Sequence, residues 1–309
     1  MNKEIKAFAP ASIGNVGVGF DVLGLALEYP GDEVVVRHND LHTVRITSIT
    51  GDGGKLPLGT AQNTAGMAVL RMLQHLECRD GIDIEVHKKL PLGSGMGSSA
   101  ASAVAAVVAA NELLQLGLNK RELLPFACAG EAVASGSVHA DNTAPSLLGG
   151  ITLIRENANY DIVQLPVPKG LYVALVHPDI KVLTQEARAI LTPAVPMGSF
   201  VRQTANIAAF IAALYTSDLP LLGRSLKDVV IEPQRSQLIK GFYRVQEAAL
   251  GEGALGCTIS GAGPAVFALC AGAEQADRVA DAMQKAFETE QIQSRKYVSL
   301  VNEAGAVLV

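Results

Sequence analysis

Glycines alternate with other residues in one segment of the chain, directly before an alanine-rich run. Residues 89–102 read KLPLGSGMGSSAAS, with two serines where the alanines begin. Alternating glycines permit left-handed backbone conformations and let a ligand approach the backbone closely. The N-terminus of a following helix adds unpaired N–H groups and the positive end of a dipole, which favour a phosphate. The segment therefore predicts a phosphate-binding loop, in which a serine hydroxyl can reach a magnesium ion that bridges two phosphates.

Other interpretations of this loop are open on the residues alone. Glycines at this spacing also make a tight turn between a strand and a helix, without any ligand. Gly95-x-Gly97-x-x-Ala100 also fits the dinucleotide-binding fingerprint of nicotinamide-dependent oxidoreductases. Pro91, and the absence of a strand ending in Asp or Glu about 20 residues later, weaken that interpretation. A Walker-type loop is excluded, because neither Gly-Lys-Ser nor Gly-Lys-Thr occurs in the chain.

A carboxylate inside an apolar helix is a second candidate group. Glu131 lies among small apolar residues in the run FACAGEAVA, residues 126–134. Burying a carboxylate in such surroundings is costly unless a cation partners it. A Glu on an exposed helix face is the alternative. The surroundings favour a buried carboxylate that binds a cation.

Several charged or amide side chains have the chemistry to bind a small charged ligand. Asn15 and Asp21 can accept hydrogen bonds from an ammonium group, but spacing alone slightly favours Asp21 as the cap of the helix-like stretch 22–27. Arg188 and Arg235 can each bind a carboxylate through two parallel hydrogen bonds, which a lysine cannot do. Arginines on helices are more often exposed surface residues. The residues alone leave these alternatives open.

A predicted polar turn contains His139, Asp141 and Asn142. We expect His139 to donate or accept a substrate hydrogen bond and not to bind a metal, because no second histidine is close. Capping of the next segment is the alternative for all three side chains.

The composition excludes several classes of protein. The 309 residues are 49% hydrophobic and 18% charged, which predicts a folded chain of about two domains. The net charge of −5 argues against nonspecific nucleic-acid binding. The longest small-apolar stretch, residues 100–110, is well short of the roughly 20 residues that span a bilayer, so no membrane partner is expected.

The cysteines and the N-terminal segment indicate the cellular compartment of the protein. The four cysteines are far apart, and neither a Cys-x-x-Cys pair nor a His-Glu-x-x-His helix occurs, so no zinc site is predicted. Asn15 and Asp21 interrupt the N-terminal segment before the apolar core of a signal peptide can form. We therefore expect reduced, mostly buried thiols and a cytoplasmic location.

Periodicity predicts the elements that position these groups. Helical spacing is clearest at residues 63–76 and 120–135, and strict alternation predicts a strand at 82–86. A Pro-rich stretch at 165–168 predicts a hinge between two α+β units. The further predicted strands are 34–36, 44–49, 171–176, 256–259, 265–270 and 296–302, and the further helices are 184–191, 201–215, 219–230 and 273–288.

Three motifs resemble those of the GHMP kinases. Residues 91–101 are similar to the family's second motif, Pro-x-Gly-x-Gly-x-Gly-Ser-Ser-Ala-Ala, which holds the phosphates of ATP. Residues 9–21, APASIGNVGVGFD, resemble its first motif. Residues 258–265, TISGAGPA, resemble its third, a glycine loop that closes against the nucleotide loop. The three motifs occur in the family's order and cover nearly the whole chain.

Within this family, four segments resemble the homoserine kinases in particular: residues 15–24, 135–145, 184–188 and 232–235. The resemblance implies ATP-dependent phosphorylation of the hydroxyl of L-homoserine to O-phospho-L-homoserine, a step of threonine biosynthesis, by direct in-line phosphoryl transfer. A nicotinamide-dependent oxidoreductase, and a family member that binds a ligand without catalysis, are the alternatives.

The resemblance also implies roles for individual residues. Ser99 and Glu131 would bind Mg²⁺, and Asn142 would orient the substrate hydroxyl. Asp141 matches the aspartate that acts as a base in mevalonate kinases, whereas homoserine kinases are thought to lack a base, so its role is left open. The implied substrate-binding residues are Asn15, Asp21, His139, Arg188 and Arg235. The implied ATP-binding residues are Pro91, Leu92, Gly93, Ser94, Gly95, Met96, Gly97, Ser98, Ser99, Ala100 and Ala101.

The fold class that the resemblance implies is α+β, in the two-domain GHMP kinase fold. We expect an N-terminal ATP-binding domain like that of ribosomal protein S5 at residues 1–164. A ferredoxin-like α+β domain is expected at residues 165–309. The resemblance also implies a homodimer.

Overall fold

Two β-sheets with helices packed against them form the framework of the protein. The computed structural model describes residues 4–136 and 139–309. The strands are β1 Glu4–Gly14, β2 Leu23–Asn39, β3 Val44–Thr50, β4 Gly81–His87, β5 Ile151–Glu156, β6 Asp161–Leu165, β7 Leu171–Pro178, β8 Gly256–Ile259, β9 Val266–Ala271, β10 Ser294–Leu300 and β11 Val307–Leu308. The helices are α1 Thr64–His75, α2 Ser98–Leu113, α3 Lys120–Ser135, α4 Thr143–Leu148, α5 Thr184–Ala189, α6 Met197–Thr216, α7 Leu219–Ser225, α8 Glu232–Arg235, α9 Phe242–Gly251 and α10 Ala273–Thr289.

The first sheet has the strand order β11-β1-β2-β4-β3, and β5 pairs with β2 and with β6. Only the β3–β4 pair is parallel among the described strands of this sheet. Helix α2 packs against β1 and β2, and α1 and α3 pack against α2. Small side chains make this possible, because α2 is buried along nearly its whole length and its alanines let the strands and helices approach closely.

The second sheet has the antiparallel order β10-β7-β9-β8. Helices α9 and α10 pack against it around a separate apolar core that includes Phe242, Met283 and Phe287. The chain then returns to the first sheet, because β11 pairs with β1. The predicted division between residues 164 and 165 lies at the end of β6 and stays a prediction.

Most of the predicted elements are present, and the α+β class is confirmed. Asn63 caps α1, since its side chain accepts hydrogen bonds from the N–H groups of Ala65 and Gly66. Helix α3 begins with a capping box between Asn119 and Glu122.

Several predictions about local structure were wrong. The stretch 22–27 is not helical but opens strand β2, so Asp21 does not cap a helix. The helix predicted at 219–230 ends at Ser225, and the predicted polar turn, which is present at residues 141 and 142, is followed by helix α4, which was not predicted. Helix α9 was not predicted. Periodicity over six or seven residues does not separate a short helix from a buried strand, and tertiary packing decides between them.

In residues 4–136 and 139–309, the structure contains no helix that is both long and apolar enough to cross a membrane.

Candidate active site

The nucleotide loop, residues 91–101, connects the end of β4 to the first turn of α2. Gly93, Gly95 and Gly97 have φ angles of +63°, +77° and +64°, so each one lies in the left-handed region. Gly97 is the N-cap of α2 and has no side chain with which to cover the helix terminus. A Cβ atom on Gly97 would lie 2.0 Å from the Oγ of Ser12. The loop therefore leaves the first N–H groups of α2 accessible to an anion.

The third motif packs directly on this loop. Ser260 donates a hydrogen bond of 2.6 Å to the carbonyl of Gly95, and the Ala265 N–H donates one of 3.1 Å to the carbonyl of Ser94. A Cβ atom on Gly95 would lie 2.5 Å from the Ser260 carbonyl oxygen, so the contact requires glycine. The first motif joins them, because the Gly261 N–H donates to the Gly14 carbonyl. The three motifs thus form one structure.

A cavity of about 590 Å³ opens beside the start of the nucleotide loop. Its size is in the range of small-molecule sites. Its walls carry both acidic and basic groups as well as backbone from the turn after β3. The lining residues are Gly51, Asp52, Gly53, Lys55, Pro91, Leu92, His177, Asp179, Gln293, Ser294 and Arg295.

Ser99 and Glu131 meet behind the loop. Ser99 is in the first turn of α2 and Glu131 is in α3, and the Ser99 hydroxyl donates a hydrogen bond of 3.3 Å to the Glu131 carboxylate. Glu131 is buried, as its surroundings in the sequence predicted. A carboxylate and a hydroxyl at this distance are two oxygen donors of the kind that Mg²⁺ takes from proteins, leaving its other positions to water and phosphate. The pair therefore fits such an ion, although the metal role of both residues stays a prediction.

Asp21, the last residue of the first motif, forms a bidentate ion pair with Arg188. The two hydrogen bonds are 2.8 and 3.1 Å long, and they raise the pKa of the guanidinium. Asn15 holds the backbone at this point, since its side-chain oxygen accepts a hydrogen bond from the Asp21 N–H. Both residues have positive φ, which allows the chain to turn sharply there. Asp21 is half-buried and faces the site.

His139 completes this side of the site. Its Nδ1 atom lies 3.7 Å from the Asp21 carboxylate and is buried, with no hydrogen-bond partner in the described part of the chain. Burial lowers the pKa of the imidazole, the nearby Asp21 carboxylate opposes that effect, and the Arg188 guanidinium adds to it. A buried polar atom without a partner is rare, and a bound substrate can provide one. The adjacent Ser137 and Val138 lie outside the described residues.

Arg235 is buried and lies close to Arg188. Its guanidinium donates hydrogen bonds to the backbone carbonyls of Ala187 and Gly261, both 3.0 Å long. Among the described residues, no carboxylate pairs with it. Burial lowers the pKa of this guanidinium, and the charge of Arg188 adds to the effect. A carboxylate ligand would relieve this unfavourable burial of a cation.

The ring of Phe20 brings the two arginines together, a role that sequence reasoning missed. The guanidinium carbons of Arg188 and Arg235 lie 5.2 and 5.0 Å from the ring centroid. Both contacts are within the range of cation–π attraction. Phe20 directly precedes Asp21, and this adjacency was the available signal, but nothing in the sequence indicated that two arginines lie over one aromatic ring.

Asn142 connects the two halves of the site. The Ser12 hydroxyl donates a hydrogen bond of 3.0 Å to the Asn142 side-chain oxygen, and this oxygen would lie 3.1 Å from a Cβ atom on Gly97. The Asn142 amide is therefore next to the N-terminus of α2. Its nitrogen faces Asp141 at 3.5 Å. Ser12 is fully buried and was not predicted as a site residue.

Asp141 is buried in the same place. Burial raises the pKa of its carboxyl group to about 7, and the Asp21 and Glu131 carboxylates add to that shift. A carboxyl group with such a pKa exchanges its proton near neutral pH. The predicted site residues on both sides are thus brought to one place, and their individual roles stay predictions.

The dinucleotide interpretation does not fit this fold. A dinucleotide-binding loop follows the first strand of a parallel sheet. The nucleotide loop here follows β4, which is antiparallel to β2.

Comparisons with known proteins agree with the geometry. Residues 63–150 match the family model for the GHMP kinases N terminal domain, and residues 210–289 match that for GHMP kinases C terminal. A homoserine kinase of Chlorobium phaeobacteroides (strain BS1) is 49% identical, with 99% of this chain and 100% of the relative covered. A homoserine kinase of Xylella fastidiosa (strain M12) is 44% identical over 99% of this chain and 94% of the relative.

A solved structure gives the same result. The crystal structure of homoserine kinase from Cytophaga hutchinsonii ATCC 33406 has a TM-score of 0.97 and 49% identity, covering 100% of this chain and 98% of that one. The crystal structure of L. major mevalonate kinase in complex with R-mevalonate shares the fold, with a TM-score of 0.75 at 20% identity. On these likenesses and the three motifs, the chain belongs to the homoserine kinases of the GHMP kinase family.

Proposed function

We propose that the chain transfers the γ-phosphoryl group of ATP to the side-chain hydroxyl of L-homoserine, giving O-phospho-L-homoserine and ADP. One observation carries the proposal: the Asn142 amide lies against Gly97 at the N-terminal end of α2, and it donates to Asp141, whose carboxyl group interacts electrostatically with Asp21 and Arg188. A phosphate bound at the helix terminus and an amino acid bound by the charged groups would therefore meet at Asn142.

The nucleotide loop supplies the ATP-binding end. Its backbone N–H groups and the dipole of α2 favour a polyanion, and the three left-handed glycines keep side chains out of the way. The cavity beside Pro91 and Leu92 is large enough for an adenosine group. The loop thus holds the phosphates while the cavity holds the base.

Ser99 and Glu131 would hold a magnesium ion on the phosphates. Their oxygens are already in hydrogen-bond contact, because Ser99 in the first turn of α2 donates to the Glu131 carboxylate. When bound, the ion would neutralise charge on the phosphate oxygens. Glu131 supplies the negative charge of this site and Ser99 an uncharged oxygen.

The charged groups on the other side match a free amino acid. Asp21 can accept hydrogen bonds from the substrate ammonium, with His139 beside it. Arg235, which lacks a carboxylate partner among the described residues, and Arg188 can bind the substrate carboxylate together. The substrate side chain would then extend towards Asn142.

Phosphoryl transfer needs mainly positioning and charge stabilisation, because its transition state is loose and little proton transfer occurs early. The Ser12 hydroxyl fixes the Asn142 amide so that the amide nitrogen can donate to the substrate hydroxyl oxygen. The hydroxyl then attacks the γ-phosphorus in line. This account requires no base, and Asp141 stays close enough to accept the proton at a later stage.

We also propose a homodimer in the cytoplasm. Several large apolar side chains, including Met197, Phe200 and Val201, are exposed on one stretch of chain, and exposed apolar patches mark interaction surfaces. Light scattering tests the dimer, for which we expect twice the mass of the chain.

The cytoplasmic location is proposed because the four cysteines are free thiols, as in reducing compartments.

A coupled assay of ADP release tests the proposed reaction. With Mg-ATP, we expect release with homoserine and little release with mevalonate or galactose. Mg-ATP, and not NADPH, should also protect the protein against heat denaturation. Equal release with all three acceptors, or none with homoserine, would overturn the proposal.

A further inference from the structure

We propose that the buried ion pair between Asp32 and Lys88 is the anchor that holds the nucleotide loop in its phosphate-binding conformation. Both are then positioning residues for phosphoryl transfer, although neither lines the site. The inference rests on the proposed function, because it assigns the pair a role in binding ATP.

The pair lies beneath the loop, between strands and helix. Asp32 is in β2, and Lys88 follows the last residue of β4. The two side chains are 0% and 2% exposed, and the lysine ammonium donates directly to the carboxylate. Few charged groups of a protein are so completely removed from water.

One carboxylate oxygen fixes the strand side of the loop. Asp32 Oδ1 accepts hydrogen bonds from the backbone N–H groups of Lys89 and Leu90, at 2.9 and 3.1 Å. These are the last two residues before Pro91. The direction in which the chain leaves β4 is therefore set by Asp32.

The ammonium fixes the helix side. Lys88 Nζ donates to the Ser98 carbonyl at 2.7 Å and to the Ser102 hydroxyl at 2.8 Å. Ser102 in turn donates to Asp32 Oδ2 at 2.9 Å. Ser98 is the first residue of α2, so the pair connects both ends of the loop to one point of β2.

The energetics of buried charges indicate that this pair positions the nucleotide loop and adds little to the stability of the fold. Desolvation of two buried charges offsets most of their attraction, and apolar replacements of such pairs are often neutral or stabilising. Burial indeed lowers the pKa of Lys88, against the opposing effect of Asp32. What an apolar pair cannot supply is the set of directed hydrogen bonds to both ends of the loop.

A neighbouring ion pair provides a matched control. Glu33 and Lys89 are the next residues along the same two segments, and they also pair with each other. Their side chains point to the outer surface, where Lys89 is 46% exposed, and Glu33 also pairs with Lys6. This pair has the same chemistry but makes none of the contacts to the loop backbone.

The experiment compares the double variants Asp32→Asn/Lys88→Met and Glu33→Gln/Lys89→Met in the full chain. Asn keeps an acceptor for the Lys89 and Leu90 N–H groups, while Met removes the link to the helix. We expect the first variant to raise KM for ATP about tenfold or more and to lower kcat, the effect of losing a charge-assisted hydrogen bond. Its KM for homoserine should stay within about threefold of wild type, and the control variant should be unchanged.

Hydrogen–deuterium exchange without any ligand provides a readout independent of activity. Amides of residues 93–101 should exchange about tenfold faster in Asp32→Asn/Lys88→Met, while those of β7 and β9 keep their wild-type rates. If this variant does not fold, Ser102→Ala removes the two hydrogen bonds of one hydroxyl, to Lys88 and Asp32, but no charge, and we expect it to raise KM for ATP about threefold.

Wild-type KM for ATP and wild-type loop exchange in the folded variants would overturn the anchor, while leaving the kinase function intact. An equal rise in both KM values would also overturn it, because the effect would then not be confined to the loop. A wild-type protein that does not bind Mg-ATP, but whose variant shows faster loop exchange, would instead contradict the proposed function.

Discussion

The nucleotide loop and the zwitterion site, the latter formed by Asn15, Asp21, His139, Arg188 and Arg235, are built on different principles. The loop is one continuous stretch that offers backbone N–H groups, and Gly95 within it is enclosed by the backbone of Ser260 and Gly263. The zwitterion site is assembled from side chains on separate elements. Its central ion pair joins residues that are 167 positions apart.

The difference follows from the two ligands. A triphosphate can be held by a helix terminus and backbone N–H donors. Binding at the loop therefore depends on its backbone conformation more than on particular side chains. A zwitterion needs one anion and one cation at fixed positions, and only side chains supply full charges. We therefore expect steric changes to damage the loop most and charge changes to damage the zwitterion site most.

The largest effect should come from adding one methyl group to the loop. In Gly97→Ala the Cβ atom would lie 2.0 Å from the Ser12 hydroxyl, which positions Asn142. Gly93→Ala is the control, because it has the same φ but meets only the Val182 carbonyl oxygen at 3.9 Å. Steric displacement added to backbone strain should lower kcat/KM for ATP by about 1000-fold in Gly97→Ala and by less than about tenfold in Gly93→Ala. Similar losses in both variants would show that strain alone matters.

Glu131→Gln should have the next largest effect. It keeps the shape of the side chain but removes a charged metal ligand, so kcat should fall by about 100-fold. The exposed Glu112, at the other end of α2, provides the control Glu112→Gln. Initial rates at saturating homoserine and Mg-ATP measure both. A change below about fivefold would assign Glu131 a structural role.

Asp21→Asn should act on the zwitterion site alone. Loss of a charge-assisted hydrogen bond to the substrate ammonium should raise KM for homoserine by about 10- to 150-fold, with little change in KM for ATP. The variant also releases Arg188 from its ion pair. For 4-hydroxybutyrate, which lacks the ammonium, the variant should therefore raise KM less than it does for homoserine. Asp161→Asn, at an exposed pair with Arg155, is the control. Equal KM for homoserine in variant and wild type would place the ammonium elsewhere.

Asp141→Asn should change the stability of the folded protein, and the variant should gain stability where the other three variants lose activity. The pKa of Asp141 is raised to about 7, above its unfolded value near 4, so the folded state binds this proton more tightly. Its ionisation therefore removes stability as pH rises from about 4 to 7. Without nucleotide and metal, the variant should be more stable than wild type at pH 8 by a few kcal/mol, with the gain shrinking towards pH 4. Urea denaturation at both pH values measures this difference in the free energy of unfolding. An equal stability of variant and wild type at pH 8 would contradict the raised pKa of Asp141.

The same comparison explains what could be predicted from the sequence. The nucleotide loop is contiguous, so its glycines, the start of α2 and the buried carboxylate at Glu131 could be predicted from residue types and spacing. Local helical spacing also sufficed to predict α1 and α3.

What could not be predicted depends on contacts between distant segments. Ser12 and Asn142 are 130 residues apart, and Asp32 and Lys88 are 56 apart, so no local pattern relates them. The short apolar run at 22–27 fits a helix turn as well as a strand, and pairing with β1 and β5 makes it a strand from Leu23 onward. The prediction that Arg188 and Arg235 bind the substrate rested on family resemblance for the same reason.

Product identity tests the central claim most directly, because ADP release alone does not show where the phosphoryl group goes. We propose ³¹P NMR of a reaction with Mg-ATP and homoserine, with 2-aminobutyrate, which lacks only the hydroxyl, as the matched acceptor. The account predicts a phosphomonoester on homoserine in an amount equal to the ADP formed, and none with 2-aminobutyrate. Orthophosphate in place of the phosphomonoester would contradict it.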